Sequence, residues 1–312
     1  MSKSYYDGQF FKASLQTAEA LLREHKDELN MLNVFPVPDG DTGTNMLLTV
    51  QGAAKKVAEL SIRSAAKVAA SAARAALFSA RGNSGVILSQ ILMGIAHGLR
   101  DKERFSPSDL AKAMALGAKK AYSTVANPME GTILTVVREA AEAAQRAAQQ
   151  GADLASMMTE ITAQARKAVE RTPQLLPILK EAGVVDAGGK GLYYILEAMQ
   201  FCALGGMAMA SGQTSDPQTS GIGDAKESYG YEIQLIIHGQ GLPYEEARER
   251  IGEMGESVLV VGDTNLIKVH VHTPRPDRVL AYALDLGRVS DVIIEDLDAQ
   301  VEAHRASNSG KG

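Results

Sequence analysis

The sequence of 312 residues is short of cysteine, of excess basic charge and of long apolar runs. Its single cysteine, Cys202, excludes an intrachain disulfide and fits the core of a protein from a reducing compartment. Acidic residues outnumber basic ones by 37 to 32, giving a net charge of −5, which argues against a nucleic-acid-binding surface. No apolar run reaches the roughly 20 residues that span a bilayer, and the N-terminus has no apolar signal core. We therefore expect a cytoplasmic protein with no transmembrane segment and no nucleic-acid partner.

Two common binding patterns are also missing. The segment Gly188–Gly191 contains Lys190, but it has neither the spacing nor the hydroxyl residue of a Walker A loop. The stretch that begins at Asp39 fails as an EF-hand, because Gly43 and Val50 stand where oxygen ligands are needed. A phosphate or metal site in this chain must therefore be built in another way.

The chain divides into regions of different composition. Residues 1–210 are rich in alanine and leucine with helical spacing and no strand alternation, which predicts an eight-helix antiparallel bundle or barrel. Residues 211–225 have the composition of a linker. Residues 226–300 predict a small α+β domain with the ferredoxin-like order βαββαβ. Residues 301–312 are small and polar, which predicts a disordered tail.

One loop carries most of the functional information. Asp39 and Asp41 flank Gly40, and in an extended stretch residues i and i+2 point to the same side, so the two carboxylates converge. Pro36 and Pro38 stiffen the approach. Two close carboxylates repel each other unless a proton or cation intervenes, and hard oxygen ligands in a compact loop suit magnesium. For an isolated Asp-Gly-Asp an acidic surface turn would be the simpler explanation.

The exit from this loop favours the metal site. The residues Thr42, Gly43, Thr44 and Asn45 offer caps to a following apolar helical run. A helix N-terminus presents free backbone amides and a positive dipole end, which bind phosphate. Metal carboxylates beside such a helix start predict a site for a metal–nucleotide complex.

Three further clusters of small residues precede predicted helices, at residues 80–85, 128–132 and 185–191. Each alone is more often a turn or a cap, because glycine punctuates any helical protein. In an up-and-down bundle, however, alternate helices start at the same end, so four such starts are expected to share one rim. Their amides and hydroxyls would then converge on a phosphate chain.

Taken together, these motifs resemble a known family of kinases. The matching segments are Asn33–Asn45, Gly82–Gln90, Pro128–Val136 and Val185–Leu192, with Tyr229-Gly-Tyr231 and Val269–His272 in the second domain. They resemble the ATP-binding domain of the dihydroxyacetone-kinase L-subunit family, and more closely the ATP-binding subunit of bacterial fatty acid kinase. The resemblance implies an eight-helix antiparallel barrel that holds ATP and two magnesium ions at one rim.

The resemblance also implies roles for individual residues. Asp39 and Asp41 match the magnesium carboxylates, and Asn33 stands where the L-subunits carry a third aspartate. The implied nucleotide contacts are Thr42, Gly43, Thr44 and Asn45; Asn83, Ser84 and Gly85; Gly131 and Thr132; and Asp186, Ala187 and Gly188.

A second candidate metal site lies in the α+β domain. His270 and His272 alternate on one predicted strand and therefore share a face, which is a common geometry for metal ligands. From spacing alone, a partly exposed strand whose polar face holds two histidines is the favoured explanation. The resemblance implies a zinc site of two histidines and a cysteine, but Glu232 replaces the cysteine here, which is more typical of catalytic zinc. His238 is an alternative third ligand.

The expected function is that of an ATP-dependent phosphotransferase subunit in phospholipid metabolism. By resemblance it phosphorylates the carboxylate of a fatty acid presented by a separate binding protein, giving an acyl phosphate, and it forms a homodimer. Two alternatives remain: a dihydroxyacetone-kinase-like subunit that phosphorylates a small hydroxylated substrate, and a non-catalytic ATP-binding scaffold. Related subunits continue into a third domain, so both a natural short form and a fragment are open.

Overall fold

The structure is a computed structural model that describes residues 5–206 and 228–309. The predicted linker, residues 211–225, lies outside the described residues. The described part is mostly helical and contains one small antiparallel sheet of four strands.

The first region is built from helices alone. Within residues 5–206 they are α1 (Gly8–Glu24), α2 (Lys26–Met31), α3 (Thr42–Ala58), α4 (Ala65–Ser79), α5 (Gly82–Gly98), α6 (Pro107–Thr124), α7 (Ile133–Gln149), α8 (Leu154–Leu175), α9 (Pro177–Ala182) and α10 (Ala187–Ala203). Their starts follow local signals in the sequence. Ser106, for example, caps α6 through a reciprocal capping box with Asp109, and Pro107 occupies the first helical position.

The eight long helices close into a ring. Leaving out the short helices α2 and α9, each packs against the next one along the chain, and α10 packs against both α8 and α1. Their many alanines allow these helices to approach closely. Between α5 and α6 the backbones are so close that only glycine fits, because a Cβ atom on Gly94 would lie 2.5 Å from the Cα atom of Gly117. The interior is apolar, with Met46, Leu134 and Met157 among its buried side chains.

The second region carries the sheet. Its elements are β1 (Tyr231–His238), α11 (Tyr244–Gly252), β2 (Glu256–Gly262), β3 (Leu266–Thr273), α12 (Pro276–Leu286), β4 (Arg288–Asp296) and α13 (Leu297–Ser309). The strands lie in the order β2-β3-β1-β4, and all neighbours are antiparallel. Up to residue 296 the elements occur in the order βαββαβ that the alternating sequence pattern predicts.

The central strands β1 and β3 are buried on both faces of the sheet, whereas much of the edge strand β4 is exposed. One face, with Ile233 and Val269, packs in an apolar cluster with residues of α11 and α12. The opposite face lies against the helical ring, where Leu259 and Val261 pack in one cluster with residues of α4 and α5. Polar residues on this second face are consequently removed from water, and Lys268 is only 2% exposed.

The predicted disordered tail is wrong for residues 301–309, because α13 runs through them to Ser309. Leu297 and Val301 of α13 are buried and pack with Val37, which leads into the Asp39 loop. A short polar segment of this kind is helical because of a tertiary contact that its own composition does not reveal.

Candidate functional site

The Asp39–Asp41 loop is held together by Asn33, which is buried. The Asn33 amide nitrogen donates to the carbonyl oxygen of Val37 at 2.6 Å and to Asp39 Oδ1 at 3.0 Å. Its side-chain oxygen accepts a hydrogen bond from the hydroxyl group of Thr42. Both ends of the Asn33 side chain therefore organise the loop, which places one predicted metal ligand next to Asp39 but in a supporting position.

Gly40 has a conformation that other residues rarely adopt. Its φ angle is +73°, in the left-handed region that favours glycine. A Cβ atom at this position would also collide with the ring of His304 on α13. The tip of the loop is therefore covered by a helix that follows the sheet.

The carboxyl groups of Asp39 and Asp41 are destabilised as anions. Burial, followed by the charge of Asp41, raises the pKa of Asp39 well above its usual value. Burial and the nearby carboxylate of Glu232 raise the pKa of Asp41 to about 6, although Asn45 donates a hydrogen bond of 2.6 Å to Asp41 Oδ2. A divalent cation would remove this repulsion, and a compact set of hard oxygen atoms fits magnesium. The residues present are therefore suited to that ion.

A pocket of about 280 Å³ opens at the ring, and its wall includes residues from four helix starts. Half of the twelve residues predicted to contact the nucleotide line it: Thr42 at α3, Asn83 and Ser84 at α5, Thr132 before α7, and Asp186 and Gly188 at α10. The structure therefore brings the four separated clusters together at one site.

The other six predicted residues do not line this pocket. Some of them support those that do: the Gly131 amide donates to Thr135 Oγ1 at 2.8 Å, and Thr44 is hydrogen bonded to Asn30. Asn45 supports Asp41, and Gly43, Gly85 and Ala187 are buried within their helices.

Asp186 closes the pocket at α10 and caps that helix. Its Oδ2 atom accepts a hydrogen bond from the amide of Gly189 at 2.6 Å, and its own amide donates to Thr172 Oγ1 at 3.0 Å. Burial raises the pKa of Asp186 to about 7, even though the backbone hydrogen bonds from Gly189 and Ile133 oppose the shift.

The pocket also has an apolar wall that the sequence motifs do not indicate. Ile87, Val125 and Met129 contribute to it from the ring, and Val258 and Leu259 of β2 contribute from the second region. An apolar wall facing polar helix starts suits a ligand with a flat apolar end and an anionic end. No short motif marks β2 as part of the site, because its contribution depends on how the sheet packs on the ring.

The second candidate metal site is assembled by strand pairing. Glu232 on β1 lies opposite His272 on β3, and Gln234 lies opposite His270. One ligand atom from each of Glu232, His270 and His272 lies within 4.8 Å of the others, and all three residues are buried. The alternative ligand His238 is not part of this group. It lies at the far end of β1, where its Nε2 atom is 2.8 Å from the Oγ atom of Ser290 on β4.

Several polar atoms of this cluster have no hydrogen-bond partner among the described residues, namely both ring nitrogens of His270, His272 Nε2 and Gln234 Oε1. Burial lowers the pKa of His270 to about 4, so its ring is neutral at pH 7 and able to act as a ligand. Burial alone would raise the pKa of Glu232, but His270, His272 and Gln234 lower it to about 2. An ionised carboxylate beside neutral imidazole fits a zinc-type donor set.

The Asp39–Asp41 loop and the Glu232 cluster lie near each other. The charge of Glu232 contributes to the raised pKa values of both Asp39 and Asp41, and Glu295 on β4 contributes to that of Asp41. On the same face of β3, burial and the nearby charge of Arg81 lower the pKa of Lys268 to about 8. The polar face of the sheet therefore faces the loop that carries the candidate magnesium ligands.

Two family models match separate segments of the chain. The family model for the DAK2 domain matches residues 36–201, and the model for the FakA-like middle domain of fatty acid kinase matches residues 228–304. Because the first match covers more than half of the chain, the protein belongs to the DAK2 domain family.

The similar proteins include two from bacteria. The chain is 35% identical to protein YloV of Bacillus subtilis over 96% of the chain and 57% of YloV. It is 34% identical to an uncharacterized protein of Staphylococcus saprophyticus over 95% of the chain and 56% of that protein. The chain therefore spans somewhat more than half the length of these relatives.

Among solved structures, the dihydroxyacetone kinase of C. freundii aligns with a TM-score of 0.45 and 19% identity. The alignment covers 61% of this chain and 34% of that one. Within the described residues, no helix is both long and apolar enough to cross a membrane.

Proposed function

We propose that the protein is an ATP-dependent phosphotransferase subunit whose helical ring binds Mg-ATP. The observation that carries the proposal is the convergence of four helix starts on one pocket, whose wall includes Thr42, the residue that follows the partly buried loop of Asp39 and Asp41. Helix starts bind phosphate, and an apolar wall that includes β2 suits the base. Membership of the DAK2 domain family supports the same assignment.

The residues divide the work between binding and positioning. Asp39 and Asp41 would hold two magnesium ions, while Asn33 and Asn45 fix the orientation of those carboxylates through hydrogen bonds. Bound magnesium supplies positive charge that neutralises the phosphate oxygens. Thr42 and Ser84 line the pocket at the starts of α3 and α5, where helix amides suit the phosphate chain. The adjoining sheet excludes water from one side of the site.

The acceptor we propose is the carboxylate of a fatty acid presented by a separate binding protein. The bond from the γ-phosphorus to its bridging oxygen breaks, the electron pair stays on ADP, and a new bond forms to a carboxylate oxygen. No proton has to be removed, because a carboxylate is already ionised at neutral pH. The similarity of residues 228–304 to the FakA-like middle domain of fatty acid kinase supports this acceptor.

Two other functions are alternatives to the phosphorylation of a fatty acid. A dihydroxyacetone-kinase-like subunit would phosphorylate a hydroxyl group and would need a base to accept its proton. A non-catalytic scaffold would bind ATP without turnover. We further propose that Glu232, His270 and His272 bind zinc, because their ligand atoms converge and the ring nitrogens lack other partners.

The test measures ADP release by the purified chain with ATP and magnesium. Candidate acceptors are a long-chain fatty acid with a fatty-acid-binding carrier protein, the fatty acid alone, and dihydroxyacetone. We expect turnover that depends on both the fatty acid and the carrier. Turnover with dihydroxyacetone alone would favour the second function, and tight Mg-ATP binding without turnover in any mixture would favour the scaffold. Absence of Mg-ATP binding in calorimetry would refute all three.

A further inference from the structure

Strand β2 is irregular where it reaches the pocket. Between Glu256 and Leu259 its register with β3 shifts. The two intervening residues, Ser257 and Val258, lie opposite a single residue of β3, which defines a β-bulge. Bulges are frequent beside active sites, where they change the direction of side chains. The bulge therefore sets how this end of β2 presents its residues to the pocket.

Ser257 has a backbone conformation that is uncommon for serine. Its φ angle is +50°, in the left-handed region. The other two described non-glycine residues with a positive φ are Asp101 and Asp291, and aspartate adopts this region more readily than serine does. Of the three, only Ser257 lines the pocket. Such conformations persist where the surrounding structure holds them, and they cluster at ligand sites.

The bulge belongs to the apolar end of the pocket. Ser257, Val258 and Leu259 line the pocket from the sheet. Leu259 packs in one cluster with Ile87 and Val125, which line the pocket from the ring. An apolar wall suits the flat face of a nucleobase, whereas the helix starts suit phosphate. A nucleotide in this pocket would therefore place its base at the bulge.

Two polar side chains lie in this apolar end, Ser257 on β2 and Asn127 on the segment that follows α6. Each is two residues away from a member of the apolar cluster, Leu259 for the serine and Val125 for the asparagine. Neither side chain is hydrogen bonded to another residue in the part of the chain that the structure describes. A few polar groups in an otherwise apolar wall are the usual source of ligand orientation and specificity.

We propose that Asn127 and Ser257 hydrogen bond to the polar edge of the nucleobase and make the pocket selective for adenine over guanine and hypoxanthine. The inference rests on the proposed function and assigns its base specificity to one residue from each region. Adenine carries an amino donor at C6 beside a ring-nitrogen acceptor, and an amide side chain can accept from the one and donate to the other. Guanine and hypoxanthine carry an oxygen at C6, so the same orientation of the amide places oxygen against oxygen.

The experiment measures the affinity for ADP, IDP and GDP by calorimetry in the presence of magnesium. The variants are Asn127→Ala and Ser257→Gly, with the exposed Asn265→Ala and Ser108→Ala as matched controls. Glycine adopts a positive φ freely, so Ser257→Gly removes the hydroxyl group and keeps the conformation of the bulge. Melting curves without ligand show whether each variant is folded.

The wild type should bind ADP about tenfold or more tightly than IDP or GDP, because a mismatched base leaves a polar group unpaired. Asn127→Ala should lose about tenfold in affinity for ADP and little for IDP or GDP. Ser257→Gly should show the same pattern with a loss of about threefold, since one hydroxyl group forms fewer bonds than an amide. Both controls should match the wild type.

The outcomes separate this inference from the proposed function. A wild type that binds no nucleotide would remove the proposed function and the inference together. Equal wild-type affinities for the three nucleotides would refute the base assignment alone. Variants that keep the wild-type preference would also refute it, as would losses by the same factor for all three nucleotides, which indicate altered packing. If one variant does not fold, the other carries the test.

Discussion

The partly buried Asp39–Asp41 loop and the buried Glu232 on the sheet are two neighbouring acidic sites in opposite electrostatic environments. In the loop, Asp39 and Asp41 repel each other, and burial raises their pKa values. On the sheet, Glu232 lies between two histidines that help to lower its pKa to about 2. The loop gains stability only when a proton or cation arrives, whereas the sheet cluster holds an ionised carboxylate on its own. Adjacent carboxylates can therefore be prepared for different ligands by their neighbours alone.

Removing a loop carboxylate should have the largest effect. Asp39→Asn or Asp41→Asn should reduce turnover by about 10²-fold or more, because the charge facing the phosphates loses its compensation. The same variants should melt at a higher temperature than the wild type when magnesium is absent, because one repelling charge is gone. Turnover assays and calorimetry with Mg-ATP measure the first effect, and metal-free melting curves measure the second. Near wild-type nucleotide affinity in both variants would sink the magnesium assignment.

The sheet cluster should respond through its metal content. We expect zinc in the purified wild-type protein, removable by mild chelation without unfolding the ring, and no zinc in a His270→Ala/His272→Ala double variant. Glu232→Cys should bind zinc more tightly, because thiolate is the softer ligand. Elemental analysis and chelator competition measure this. If neither wild type nor Glu232→Cys takes up zinc, and zinc does not raise their melting temperatures, the cluster is a plain polar strand face.

Asp186 tests the effect of burial without a neighbouring carboxylate. Its pKa of about 7 in the folded chain lies above the ordinary value of 3.8, so the folded state binds more protons between these values. The contribution of Asp186 to stability therefore falls as pH rises from about 4 to about 7. Asp186→Asn keeps an oxygen that can accept from Gly189 and removes this dependence.

We expect the stability difference between wild type and Asp186→Asn to change by on the order of 2 kcal/mol between pH 5 and pH 8. Urea unfolding at several pH values, with magnesium and nucleotide absent, measures the difference. Parallel curves for the two proteins would mean that the carboxyl group is not perturbed by burial.

The smallest expected effect is a change in the hydrogen exchange of β2, which only contributes to the pocket wall. Mg-ATP should slow hydrogen exchange around the starts of α3, α5, α7 and α10, and more weakly in residues 257–259 of β2. Protection limited to the start of α3 would mean that the other clusters are caps without a role in binding. Protection of the four starts without β2 would restrict the site to the ring.

The ring was more predictable from the sequence than the sheet. Helix starts are marked locally, by caps such as Thr132 and by glycines, so their clusters could be found in the sequence before their convergence was known. The pairing of Glu232 with His272 follows from the element order and strand register. By contrast, Val258, Lys268 and helix α13 acquire their positions from packing between regions, and no local pattern records that packing.

The apolar wall contributed by β2 has a consequence for how this protein is divided. Residues 36–201 match one family and residues 228–304 another, yet the pocket includes side chains from both segments. Each family match therefore covers only part of the set of residues that forms the pocket. A transplanted ring would carry the helix starts of the pocket to a new host but would leave the part of the apolar wall that β2 contributes behind. Replacing residues 228–304 by the same segment of a relative would be expected to change the apolar wall of the pocket without altering any of the four helix starts.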